Sequence, residues 1–311
     1  MISLWRFVVV AVLSSTSLLC VNAQPILDCK NRFLAVNVMD RQGNQIAGLK
    51  PSDFRATVRG QRVPIFENIG AHATRRVVIL VDRSGSTRPL SAAMRTLAGN
   101  LVATQTKKVQ PALVLFSDHI VSSLDFSHSP EEILKALENL PEAKGGTALL
   151  DALKYAASLF GQPRAGDAVY LITDGGENAS KAGPFEVKRD FLEKGIRIYW
   201  VDLGDRYFPT EEETHREWLF DLAKSTGGQA LQIDTKVGKD SQEQVAKQLQ
   251  QLYEQIADFY DLQLDLPETR KWEGLRLEIL DNKDKRRKDS RVLYPHELAP
   301  CGATADSGAR K

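Results

Sequence analysis

The chain has 311 residues, 42% of them hydrophobic and 26% charged, an ordinary balance for a folded protein and enough length for a full α/β domain plus something smaller. Lysine and arginine number 41 against 40 acidic residues. That balance excludes a broad nucleic-acid surface, which needs a strong basic excess, so a charge-driven partner has to be recognised locally.

Residues 1–23 carry Arg6 in a short leading region, an apolar run over 7–19, and the small-residue site Val21-Asn22-Ala23, the pattern of a cleavable export signal. The mature chain then begins near Gln24, has no membrane span, and is secreted or periplasmic. A retained anchor competes with this reading, although Ser14, Ser15, Thr16 and Ser17 interrupt the run. Lipidation of Cys20 competes too, although Leu19 stands where a small residue belongs. Cleavage leaves Cys29 and Cys301, in a pathway that permits oxidation. A disulfide between them would close a very long loop and contribute about 5 kcal/mol in the chain-entropy picture; free thiols or bridging between chains are the alternatives.

Residues 33–39 and 54–58 alternate in apolar character around turn glycines Gly43 and Gly48, so residues 24–74 read as part of a small β module. The pattern changes at Arg75-Arg76, after which 77–81 is a continuous apolar run suited to a central parallel strand. Further strands are expected at 112–116, 168–173, 196–201 and 229–233, alternating with helices, which is the signature of a doubly wound, mostly parallel sheet. Ser129-Pro130-Glu131-Glu132 starts one helix with a capping box and runs to about residue 140. In the last helix, 241–259, Val245, Leu249, Leu252, Ile256 and Phe259 share a face. From residue 260 the alternation returns, at 262–266, 275–279 and 292–294, with the basic run 283–288 as a solvated hairpin tip. The expected architecture is an α/β domain over 75–259 inserted in a β module whose second half is 260–311.

Chemistry concentrates at three loops. Asp82-Arg83-Ser84-Gly85-Ser86 follows the first buried strand, Lys144-Gly145-Gly146-Thr147 precedes a helix expected over 148–160, and Thr173-Asp174-Gly175-Gly176 ends another strand. Open α/β sheets place their ligands at such strand ends. Two carboxylates and three hydroxyls, with no neighbouring His or Cys, suit a hard divalent cation, Mg²⁺ first with Mn²⁺ or Ca²⁺ as alternatives. Two carboxylates only neutralise such an ion, so an open coordination position would favour a carboxylate from outside.

Asp82-x-Ser84-x-Ser86, then Thr147, then Asp174 resembles, at all five positions, the metal-ion-dependent adhesion site (MIDAS) of von Willebrand factor A domains. The resemblance covers roughly residues 75–259. The flanking stretches Gly48-Leu49-Lys50-Pro51-Ser52-Asp53-Phe54 and Arg291-Val292-Leu293-Tyr294 resemble a bacterial group of exported proteins of this kind. It implies that Ser84, Ser86 and Thr147 ligate the metal through hydroxyls, and that Asp82 and Asp174 bind it directly or through water. It implies a protein partner presenting Asp or Glu, hence adhesion or another protein interaction and no catalysis. A shift of the last helix on ligand binding, transmitted to the β module, is a further implication. Glu177-Asn178 departs from the acidic combinations of many relatives and is expected to tune the rim.

The blander reading of Asp82, Ser84 and Ser86 is a helix-capping turn. The rival from another class is a Mg²⁺-dependent phosphoryl-transfer enzyme of haloacid dehalogenase type with Asp82 as nucleophile. Ser84 stands where that chemistry needs an acid, and no lysine motif follows. A serine hydrolase fits less well, since Asp82 occupies the glycine position of a nucleophile elbow. The five histidines, 72, 119, 128, 215 and 296, show no metal-binding spacing and read as surface or packing residues. Asn178-Ala179-Ser180 matches a glycosylation acceptor, relevant only in a host that glycosylates.

Overall fold

Strands buried on both faces and strands buried on alternate residues build two different parts of this protein. The computed structural model describes residues 31–67, 74–105, 107–204, 212–234, 239–266 and 271–300. The expected export signal with Cys20, and Cys29, His72 and Cys301, lie outside these residues. In chain order the strands and helices begin with β1 (Asn31–Met39), β2 (Phe54–Val58), β3 (Gln61–Val63), β4 (Ile65–Glu67), β5 (Arg75–Asp82), α1 (Ser91–Thr104), β6 (Val109–Phe116) and β7 (Ile120–Leu124). There follow α2 (Pro130–Glu138), α3 (Leu149–Leu159), β8 (Ala168–Thr173), α4 (Pro184–Lys194), β9 (Arg197–Asp202), α5 (Glu212–Ser225) and β10 (Gln229–Gln232). The last are α6 (Lys239–Ala257), β11 (Tyr260–Asp265), β12 (Glu273–Ile279), β13 (Arg291–Leu293) and β14 (Glu297–Leu298).

The central six-stranded sheet has the order β10-β9-β8-β5-β6-β7. Every neighbouring pair is parallel except β6 and β7, which form an antiparallel edge. Successive residues of β5 feed opposite cores. Val77, Ile79 and Val81 pack with Met94, Leu97 and Leu101 of α1 and Leu252 and Ile256 of α6. Val78 and Leu80 pack with Leu149 and Leu153 of α3, Phe191 of α4 and Leu219 of α5. Burial on both faces is why this strand reads as a continuous apolar run. At α2, the Ser129 hydroxyl accepts from Glu132 N–H at 3.2 Å and the Glu132 carboxylate accepts from Ser129 N–H at 2.8 Å, so the capping box forms as its sequence indicates.

The two remaining sheets are four-stranded and antiparallel, in the orders β13-β1-β11-β4 and β14-β12-β2-β3. Each draws strands from both sides of the α/β segment, so the mostly parallel α/β sheet is accompanied by antiparallel sheets from both chain ends. They share a core of Leu34, Val36, Val38, Phe54, Ala56, Val58, Leu262, Leu264, Leu275 and Leu277. The alternate residues of β1 face the α/β part: Asn37 is fully buried and donates from Nδ2 to the carbonyls of Gln255 at 3.0 Å and Asp258 at 2.8 Å.

Arg197, at the start of β9, lies under the same junction and is also fully buried. Its guanidinium donates to the carbonyls of Gly166 at 3.1 Å, Gln255 at 3.2 Å and Ile256 at 3.2 Å, to Asn37 Oδ1 at 3.2 Å and to the Tyr199 hydroxyl at 2.7 Å. The last turn of a helix leaves its carbonyls without partners, and here a cation and an amide take them. This is the physical reason α6 stops at Ala257. Phe259, expected on the apolar face of that helix, lies beyond its end. Its ring sits 4.2 Å from the Arg75 guanidinium and 4.3 Å from that of Arg197. The basic run 283–288, expected as a hairpin tip, lies in the mostly exposed connection between β12 and β13, which belong to different sheets, and a bridge between Leu280 and Arg286 closes a small turn at its start.

Replacing Arg197 by alanine strips the buried carbonyls of α6 of their donor and leaves a void. Arg197→Ala is expected to lower unfolding free energy by about 3–5 kcal/mol, read as a fall in the urea midpoint with little change in slope.

Candidate metal centre

The C-terminal edge of the parallel strands gathers all the oxygen-bearing residues singled out in the sequence. Asp82 is the last residue of β5 and is fully buried. Ser84 is buried in the turn that follows, and Ser86 is exposed in a short 3-10 helix, Gly85–Leu90, leading into α1. Thr147 is buried just before α3, and half-buried Asp174 immediately follows β8.

Main-chain and side-chain bonds stitch the three loops pairwise. The first and second join through Gly85 N–H to Gly145 O at 3.0 Å and Lys144 N–H to Arg83 O at 2.9 Å. Gly145 has φ +85, open to a residue without Cβ, and a Cβ there would lie 3.1 Å from Asp118 Oδ2. The second and third join through Asn178 and Ala179 N–H to Thr147 O, at 2.9 and 3.1 Å, and Thr147 N–H to Asn178 Oδ1 at 2.9 Å. The first and third join through the Thr173 hydroxyl, which donates to Asp82 Oδ2 at 2.6 Å.

Within this frame the remaining oxygens converge. Asp82 Oδ1 accepts from Ser84 N–H at 2.7 Å, and the Ser84 and Ser86 hydroxyl oxygens are 3.2 Å apart. A Cβ on Gly176 would lie 3.4 Å from Asp174 Oδ1 and 3.6 Å from Thr147 Oγ1, so those two oxygens flank the same small residue. Burial pushes the Asp82 carboxyl up to about 6, and the negative charge of Asp174 pushes it the same way, against hydrogen bonds from Thr173 and Ser84. Two carboxylates that repel each other across a buried edge are what a divalent cation would relieve, and the donor set is entirely hard oxygen. Among the described residues no group of three or more His, Cys, Asp or Glu side chains is arranged to hold a metal. A centre here depends on hydroxyls.

Glu177 and Asn178, singled out in the sequence as rim residues, bond to the loops of the frame, whereas Asp202, Asp118 and His119 gave no signal there. The Glu177 carboxylate accepts from Leu150 N–H at 2.9 Å at the start of α3, and from Ala179 N–H, Ser180 N–H and the Ser180 hydroxyl at 3.1, 2.9 and 2.7 Å. Asp202, at the end of β9, is fully buried and pairs with Arg216. Burial raises its carboxyl above the usual range, with Asp174 adding to the rise. On the rim, Asp118 and His119 are exposed and bonded at 2.5 Å beside Gly145.

Residues 77–177 match the family model described as von Willebrand factor type A domain. This type A segment is about a third of the chain and includes Asp82, Ser84, Ser86, Thr147 and Asp174. A search of curated proteins finds no match. Solved structures similar to the chain include an aerotolerance-related membrane protein from Bacteroides fragilis, 19% identical over 56% of this chain and 98% of that one, with a TM-score of 0.42. A von Willebrand factor type A protein from Catenulispora acidiphila aligns at 13% identity over 89% of this chain and 76% of that one, TM-score 0.46. Proximal thread matrix protein 1 from the mussel byssus, described with a zinc-occupied MIDAS motif, aligns at 19% identity over 60% and 49% respectively, TM-score 0.48.

The raised Asp82 carboxyl has a signed consequence for the metal-free protein. Between the unfolded value near 3.8 and the folded value near 6, the folded chain binds a proton that the unfolded chain does not. The stability this contributes is present at low pH and is lost as pH rises through 6. In chelator, the wild type should gain about 1 kcal/mol relative to Asp82→Asn on going from pH 7 to pH 5. Paired thermal melts check this, with Asp167 and Asp202 common to both proteins.

Proposed function

We propose that this protein is an extracytoplasmic, divalent-cation-dependent interaction module that grips an acidic group of a protein partner. The observation that carries the reading is the convergence of two mutually repelling carboxylates and three hydroxyls on one strand edge, held by loops whose backbones bond to one another. In this reading Ser84, Ser86 and Thr147 hold the cation by their hydroxyls, with Asp82 and Asp174 at it directly or through water. Bound there, a divalent cation supplies a positive charge with a coordination position open to an oxygen of the partner.

The chain's own residues do the rest. Thr173 and Ser84 N–H keep the Asp82 carboxylate oriented, and Asn178 and Glu177 hold the Thr147 loop against the Asp174 loop. With only two acidic side chains to answer a doubly charged ion, the site retains an appetite for a third, and a partner Glu or Asp satisfies it. Mg²⁺ is the first candidate because oxygen donors and retained waters suit its octahedral shell, with Mn²⁺ and Ca²⁺ next. The apolar leader over 1–23 supports export.

Calorimetry of the protein with Mg²⁺ and with Mn²⁺ should give one site per chain, abolished in Asp82→Ala. Asn178→Ala leaves every proposed ligand in place but releases the Thr147 loop, and should weaken the metal about 10–100-fold. Heat-silent titrations of a folded wild type would overturn the reading. So would an acid-labile phosphate on Asp82 after incubation with a phosphate ester, which would move the protein to phosphoryl transfer.

A further inference from the structure

At the end of β9 opposite the metal centre, a cavity of about 440 Å³ opens between β1, the turn 162–166, the last turn of α4 and the segment 295–298. Every residue bordering it is among those described. Its volume falls in the range of about 300–1,000 Å³ in which proteins hold small molecules. The walls are mostly apolar, built from Phe33, Pro163, Leu192, Ile196, Pro295 and Leu298. Phe33 is 48% exposed, an aromatic ring that the described chain leaves half uncovered.

Charge around this cavity is lopsided. Arg32, Arg164 and Lys194 border it, and among the described residues none of the three is in an ion pair. The acids Glu193 and Glu297 border it too, but each is met by a cation outside the lining, Arg189 at 4.0 Å and Lys188 at 3.1 Å. Arg32 is the least well served. Its Nη2 donates to the Ala299 carbonyl at 2.6 Å, while its Nε is shielded from water without an acceptor. Burial pushes its pKa down from the ordinary value, with the charge of Glu193 acting against the fall, the sign of a cation that has given up water for an incomplete set of partners. Apolar walls beside unanswered cations complement a molecule that is apolar over most of its length and anionic at one end.

We propose that this cavity is a binding site for a small apolar carboxylate, with its tail against the apolar walls and its carboxylate on Arg32. The carboxylate accepts hydrogen bonds from the guanidinium and supplies the charge that the protein does not. A neutral molecule with the same tail leaves that charge unanswered, and a short acid without a tail gains nothing from the walls. The length of β9 separates this site from the metal centre, so the inference stands whether or not a cation binds there.

The test is calorimetry of the full chain with decanoate below its micelle concentration, with decanol and acetate as paired probes. Decanoate should fill one saturable site per chain, decanol should bind about 10-fold more weakly, and acetate should give no measurable heat. Arg32→Gln should bring decanoate down to the affinity of decanol and leave decanol unchanged. Where that variant melts well below the wild type, the three probes on the wild type decide. A photoreactive diazirine analogue of decanoate, mapped by mass, should label peptides from 162–166 and 191–197. Absence of a saturable decanoate site overturns the proposal, including the case in which another part of the chain already fills the cavity. Equal wild-type affinities for decanoate and decanol overturn it too, as do full decanoate affinity in a stably folded Arg32→Gln variant and labelling confined to other peptides.

Discussion

The buried guanidinium of Arg197 is the constraint on which the joining of the two parts depends. It answers carbonyls from the end of α6 and from Gly166, and it meets Asn37 from β1, so three separate stretches of chain converge on one positive charge. A buried cation without such partners would be prohibitively costly, and carbonyls buried without a donor would cost nearly as much between them. Neither side can move alone. β9 continues from Arg197 to Asp202, which pairs with Arg216 at the edge where Asp174 emerges. One strand of about 17 Å therefore spans from the junction with the antiparallel sheets to the candidate centre.

At that upper edge the division of labour is between backbone and side chain. The loops bond to each other through main-chain groups and through Asn178, Thr173 and Glu177, which leaves the Ser84, Ser86 and Thr147 hydroxyls able to turn toward a common point. Ser86 is exposed and Asp174 half-buried, so the edge opens to solvent on their side while Asp82, Ser84 and Thr147 are buried.

Much of this was legible in the chain. The run 77–81 announces a strand buried on both faces, Ser129-Pro130-Glu131-Glu132 announces a capped helix, and the alternation near both ends announces antiparallel strands. The loops carrying Asp82, Thr147 and Asp174 could be placed because apolar strands and helical spacing bracket them. What escaped were features with no period. The β7 edge holds Ser122 and Ser123 and none of its residues is fully buried, so its apolar signal is weak. Arg197 and Asn37 look like isolated polar residues in apolar strands, and only the folded junction shows why they are there. Phe259 continued the helical spacing of α6, but spacing does not reveal that carbonyls just before it are claimed by another strand.

The antiparallel sheets impose an order of events on the newborn chain. Among the described residues the strands paired with β1 are β11 and β13, more than two hundred residues later, while a bridge from Met39 to Gln45 gives its end a local partner. Contacts so distant in sequence form slowly, whereas the parallel sheet can assemble from nearer segments. An apolar strand waiting with both edges open is a template for the wrong partner. During folding the vulnerable stretch is therefore β1, most of whose length stays open at both edges until β11 and β13 reach it.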